Sequence, residues 1–110
     1  MNDTGFETLG VRKPVRAVIN SADAAIDVTE VDPENRIRVV SMVLSASGAG
    51  VVTFKTNDDE IGRVEFKAAD PPLVLGRNAD GWLETLMGEK LAIGNDSTVT
   101  LSGFITYVKL

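Results

Sequence analysis

Short runs in which apolar and polar residues alternate with period two constrain this chain more than any other feature. From Pro14 onward these runs are rich in β-branched residues, and turn residues interrupt them about every 8 to 12 positions, as in antiparallel β-sandwiches. The clearest run closes the chain, where one phase holds Val99, Leu101, Ile105 and Tyr107. No stretch has a convincing amphipathic helical pattern, so the sequence predicts an all-β protein.

The segment 36–47 has the strongest strand pattern, and its apolar phase changes at Val39 and Val40. A change of phase of this kind predicts either a β-bulge or a strand that is buried on both faces. A glycine-rich turn over 47–50 ends the segment, and residues 51–55 are predicted as its hairpin partner.

The remaining runs predict further strands over 15–20, 24–29, 61–68, 73–75, 90–93 and 98–110. Turns are predicted at 32–35, 57–60 and 94–97, where Asp, Asn, Pro, Gly and Ser cluster. Residues 82–87 are short enough to form either a strand or a single helical turn.

Eight or nine strands in about 95 residues predict a two-sheet antiparallel β-sandwich, with jelly-roll topology first and an immunoglobulin-like topology second. The paired cysteines of antibody domains are absent, because the chain has no cysteine. A chain of 110 residues has the size of one domain. We therefore expect an N-terminal arm over 1–14 and a β-sandwich domain over 15–110.

The formal net charge of −5 argues against a nucleic-acid partner, because phosphate binding needs clustered basic residues. Arg12, Lys13 and Arg16 form the one basic cluster, which fits either a contact for an acidic partner or a solvated entrance to the first strand. No apolar run approaches the length of a membrane span, and the first residues do not resemble a signal peptide. These patterns predict synthesis in the cytoplasm and no membrane partner.

The absence of histidine and cysteine removes the usual general base, the common nucleophile pairs and the commonest metal ligands. The acidic run 57–60 lacks the spacing of an EF-hand loop, and a solvated hairpin tip is the simpler interpretation. The glycine-rich turn 47–50 is not followed by a helix or by Gly-Lys-Ser/Thr, as a phosphate loop would be. We therefore expect no enzymatic activity, no cofactor and no bound metal.

Two apolar groups of residues are candidates for contact with another protein. Phe6, Leu9 and Val11 lie on the predicted arm, beside Arg12. The outward face of the last strand is rich in Ser and Thr but carries Phe104, Val108 and Leu110. Exposed apolar groups of this kind commonly mark an interface, although the last strand can also be covered on both faces by its own fold.

Trp82 stands in a polar loop segment, Asn78-Ala79-Asp80-Gly81-Trp82. A tryptophan in such a loop can stack on a sugar ring or anchor a protein contact. The alternative is structural, with Trp82 capping the open end of the sandwich core.

Three blocks resemble small virion proteins of tailed bacteriophages: Gly81-Trp82-Leu83-Glu84-Thr85, Gly88-Glu89-Lys90-Leu91-Ala92-Ile93 and Gly103-Phe104-Ile105-Thr106-Tyr107-Val108. The resemblance covers about residues 36–110. It implies a place in the virion as a head decoration (cement) protein that binds the major capsid protein and stabilises the shell by non-covalent contacts. It also implies that the protein forms a homo-oligomer, and a trimer is one candidate state. A tail component and, because of Trp82, a carbohydrate-binding module are the alternatives.

Overall fold

A computed structural model describes residues 13–96 and 99–110 of the protein, and this part of the chain is all-β without a helix. The strands are β1 (Val15–Ser21), β2 (Ala25–Asp27), β3 (Ile37–Ala46), β4 (Gly50–Thr56), β5 (Asp59–Phe66), β6 (Leu73–Leu75), β7 (Leu83–Glu84), β8 (Leu91–Asn95) and β9 (Leu101–Lys109). The predicted all-β class is therefore confirmed. No helix in the described part is long and apolar enough to cross a membrane.

Two antiparallel sheets pack face to face. The front sheet has the strand order β1-β9-β3-β6, with β7 also paired to β3, and the back sheet has the order β2-β8-β4-β5. β6 and β7 lie along the same edge of β3, so they act as one interrupted strand and leave eight strand positions. Apart from β4–β5 and β6–β7, every connection crosses between the sheets. This is the jelly-roll order, and it differs from an immunoglobulin sandwich, which pairs its first two strands within one sheet.

The core lies between the sheets and is mainly aliphatic, with Phe54, Phe66 and Tyr107 as its aromatic members. Alternate residues of the central strands point inward, and the fully buried ones include Met42, Leu44, Ile93, Leu101 and Ile105. Each of these strands has a second face that is turned away from the core, because successive side chains point to opposite sides of a sheet. The side chains on these outer faces therefore determine what each sheet surface can bind.

The predicted phase change in the third strand is a β-bulge. The pairing of β3 with β9 shifts between Val39 and Ser41, so Val40 has no partner residue on β9. The prediction that residues 51–55 form a hairpin with this strand is wrong, because β4 pairs with β5 and β8 in the back sheet. The glycine-rich turn carries the chain across the sandwich instead of back along the same sheet.

Three buried threonines complete the backbone hydrogen bonding at strand ends. The hydroxyl of Thr85 accepts from the Ile37 N–H at 2.9 Å, and that of Thr29 accepts from the Leu91 N–H at 3.0 Å. The Thr56 hydroxyl accepts from the Leu86 N–H at 2.9 Å and donates to Glu89 Oε1 at 2.8 Å. β7 ends at Glu84, immediately before Thr85. Residues 82–87 therefore form a short strand followed by a turn, and not a helical turn.

Candidate interaction surface

A row of four apolar side chains crosses the outer face of the front sheet, at right angles to its strands. Val18 of β1 is paired with Phe104 of β9, Phe104 with Val43 of β3, and Val43 with Val74 of β6. We call these four residues the apolar row. Since neighbouring strands lie about 4.8 Å apart, the row is about 14 Å long.

The two ends of the apolar row are open to solvent. Val18 is 77% exposed and Val74 is 64% exposed, whereas Phe104 and Val43 in the middle are half-buried. The guanidinium carbon of Arg16 lies 4.5 Å from the centre of the Phe104 ring, which is a cation–π contact. A positive charge therefore lies over one face of the phenyl ring in the middle of the apolar row.

The residues on either side of the apolar row are small, polar and uncharged along the centre of the sheet. The flanking pairs of β3 and β9 are Ser41 with Thr106 on one side and Ser45 with Ser102 on the other. The Ser45 hydroxyl donates to the backbone carbonyl of Ser102 at 3.3 Å. An apolar row between short hydroxyl side chains resembles the apolar centre and polar rim of a protein interface.

The outer face of the back sheet has a different character. Lys90 pairs with Asp27 at 3.0 Å and Arg63 with Glu60 at 2.8 Å, and Glu65 is also exposed there. The hydrogen bond and the charge of Glu60 raise the pKa of Arg63, so this guanidinium stays charged at all ordinary pH values. The sandwich thus has one charged face and one face with an apolar strip.

Gly103 allows a close approach of β9 to β3 beside the apolar row. Its φ angle is +141°, and a Cβ atom at this position would collide with the backbone carbonyl of Val43. Only glycine allows β9 to approach β3 this closely, one residue away from the pairing of Phe104 with Val43.

Trp82 lies at the edge of β3, in the loop that separates β6 from β7. Its backbone N–H donates to the Val39 carbonyl at 2.8 Å, and its indole Nε1 donates to the Gly76 carbonyl at 2.7 Å. The side chain is 45% exposed. Trp82 therefore closes the loop 76–82 with its polar edge and presents part of its ring to solvent.

The residues predicted as contacts are only partly brought together. Phe104 lies in the middle of the apolar row, but Val108 is already covered by its own fold, with 9% exposure, and the backbone of Leu110 pairs with that of Arg36. The predicted contacts Phe6, Leu9, Val11 and Arg12 lie outside the described residues.

Sequence reasoning missed Val18, Val43 and Val74 as members of a surface. Their outward phase could be read from the pattern, since Val18 alternates with the inward residues Ala17 and Ile19. Their alignment depends on the registers of three strand pairs, which the pattern does not specify.

One surface cleft is lined by both signs of charge. It has a volume of about 650 Å³ and lies between residues 27–31, Lys90, Tyr107 and Lys109. Lys90 is paired with Asp27, and Lys109 with Asp32 at 3.3 Å. Within residues 13–96 and 99–110, no group of three or more acidic side chains is placed to hold a metal ion.

Comparison with known proteins leaves the surface to be interpreted from its own geometry. No family model, no curated protein and no solved structure matches the chain. The apolar row can contribute to binding by shape and by removal of apolar area from water, which requires no chemical step.

Proposed function

We propose that this chain is a structural protein of a bacteriophage particle, a capsid decoration (cement) protein that docks on the head shell through the outer face of its front sheet. The observation that carries the proposal is the apolar row, which places four apolar side chains in line on one sheet face. The resemblance of residues 36–110 to small virion proteins gives the class of partner, the major capsid protein.

The energetics of the apolar row suit a contact that is repeated many times on a shell. Full burial of a valine or phenylalanine side chain is worth about 1.5–3 kcal/mol. Because Val18 and Val74 are 77% and 64% exposed, docking can cover most of each side chain and gain about 1 kcal/mol from each. One subunit gains only a few kcal/mol in this way, so simultaneous attachment of the subunits of an oligomer strengthens the binding.

The charged outer face of the back sheet suits the side that is turned away from the shell. Its ion pairs are exposed, and burying them without new partners would cost free energy. The net charge of −5 favours solubility of the free subunits before they attach. The two faces therefore give the subunit an orientation in which the outer face of the front sheet is turned toward the shell.

The test is addition of the purified protein to phage shells that lack it, with sedimentation to measure binding and heating or chelator treatment to measure stability. We expect Val74→Lys to weaken binding at least tenfold, because it places a charge in the apolar row, which docking on the shell would cover. Ala25→Lys is the matched control, since Ala25 is exposed on the outer face of the back sheet. Failure of the native chain to bind shells, or equal weakening by both variants, would contradict the proposal.

The same experiment addresses the tail. If the native chain binds purified tails or tail tubes and not shells, the protein is a tail component that uses the same face. Val74→Lys then separates specific docking on tails from non-specific adsorption, because only docking through the apolar row is sensitive to it.

A carbohydrate-binding module is the second candidate, and the 45% exposure of Trp82 favours it. The indole N–H already bonds to the Gly76 carbonyl, so a sugar would stack on the open part of the ring. A glycan array in which the native chain binds and Trp82→Ala does not would establish this function. Shell binding that survives Trp82→Ala would exclude Trp82 from docking.

A further inference from the structure

The first strand is an open edge of the front sheet within the part of the chain that is described. β1 pairs with β9 in seven consecutive residue pairs, without a bulge, and no other described strand pairs with it. An edge of this kind presents a row of unpaired backbone donors and acceptors, which is a template for another strand. Of its seven residues, only Arg16 is charged.

The other three edges of the sandwich have features that discourage strand addition. β5 carries Asp59, Glu60, Arg63 and Glu65, and its pairing with β4 is broken by a bulge. β2 has three residues, and the edge formed by β6 and β7 is interrupted by the loop 76–82. Charges, bulges and shortness are the usual means by which proteins protect sheet edges. β1 has none of these except one arginine.

We propose that β1 pairs antiparallel with β1 of a second copy of this chain, about a twofold axis at Val18. Val18 is the central residue of Val15–Ser21, so this register pairs all seven residues. Arg16 then lies opposite Asn20 of the second copy, and the two arginines do not face each other. Ala17 lies opposite Ile19 on the inner face, so apolar side chains meet on both sides of the joint sheet.

The twofold pairing makes the apolar row continuous between the two subunits. Val18 of one copy meets Val18 of the other, and the row extends over eight strands, from Val74 to Val74, or about 34 Å. Such an arrangement is isologous and closes at two chains, so β1 cannot also be the contact of a trimer. The dimer follows from the edge itself, and its use as a double-length docking strip rests on the proposed function.

A single introduced cysteine tests the axis directly, because the chain has no cysteine of its own. Opposed residues of antiparallel strands have Cα atoms about 4.5–5.5 Å apart, within the range that a disulfide spans. We expect Val18→Cys to form a covalent dimer under mild oxidation, at least tenfold faster than Val74→Cys. The control cysteine is similarly exposed but lies at the far end of the row. Equal rates for the two variants would overturn the proposal.

A charge-swap pair tests the same contact without oxidation. Val18→Lys and Val18→Glu each place like charges opposite each other on the axis, so each variant alone should dissociate to monomers, with dimer affinity lowered at least tenfold. An equimolar mixture should recover a heterodimer, since the lysine then faces the glutamate. Analytical ultracentrifugation of the native chain should give a dimer at micromolar concentration. A native chain that is monomeric or trimeric would overturn the proposal.

Val74→Lys distinguishes the failure of this inference from the failure of the proposed function. It lies outside the twofold contact, so it should leave the dimer intact and weaken shell binding alone. A native chain that is monomeric but still binds shells refutes the dimer and leaves the docking proposal standing. A native dimer that binds no particle refutes the docking proposal and leaves the dimer.

Discussion

Substitution of Gly103 by alanine tests whether the close approach of β9 to β3 supports the front sheet. The added methyl group would collide with the Val43 carbonyl and lie 3.1 Å from Leu44 Cα, and the φ angle of +141° is one that alanine rarely adopts. A backbone in such a region costs about 1–3 kcal/mol. Separation of the strands to relieve the collision weakens at least one hydrogen bond of the ladder, at about 1 kcal/mol.

The expected destabilisation by Gly103→Ala is therefore about 3 kcal/mol, which is a large share of the total stability of a small domain. For a chain of this size it should lower the melting temperature by about 12 °C or more. Thermal and urea unfolding, followed by circular dichroism, measure both quantities.

Gly76→Ala is the matched control, because Gly76 is exposed and an added Cβ would have no neighbour within 4 Å. It should change the free energy of unfolding by less than about 0.5 kcal/mol. If Gly103→Ala melts as the control does, β9 does not depend on glycine for its position, and the argument for the geometry of the apolar row is wrong.

Two further predictions concern polar groups that stabilise the fold. Thr85→Val keeps the shape of the side chain but leaves the buried Ile37 N–H without its acceptor, so it should cost about 1–3 kcal/mol in urea unfolding, whereas the exposed Thr100→Val should be neutral. Asp32 accepts from the Asn35 side chain at 2.9 Å and from the Glu34 N–H at 3.1 Å, and Lys109 lies nearby, so its pKa is lowered. Its stabilising effect is complete above the unfolded value of 3.8 and is lost as the pH falls through the lower folded value. The stability of Asp32→Ala should therefore vary less with pH below about 4 than that of the native chain, and identical pH profiles would contradict this account.

The sequence pattern predicted the strands well because period-two alternation reports burial directly. It identified the phase change at Val39 and Val40, and it placed Phe104 on the outward face of the last strand. It did not predict which strands pair. A short glycine-rich turn is compatible both with a hairpin and with a crossing to the facing sheet, and the turn over 47–50 makes the crossing.

The apolar row could not be predicted from the sequence, because its alignment also depends on which strands pair. Val18, Val43 and Val74 come from three strands far apart in the chain, and β9 brings the first two into line through its pairing with β1 and β3. A shift of one residue in either register would separate them, since it would turn every side chain of the strand to the other face. Trp82 shows the opposite case, where the polar neighbours correctly suggested a loop but not its place beside β3.

The central position of β9 in the front sheet affects when the protein can begin to assemble. β9 follows every other described strand in the chain, yet it separates β1 from β3, so β1 cannot join the front sheet until β9 has been synthesised. The β4–β5 hairpin can form much earlier, because its strands are adjacent in the chain. A chain in which β9 has not yet been synthesised lacks Phe104 and the pairings that align Val18 with Val43. The apolar row therefore forms only after β9 has joined β1 to β3.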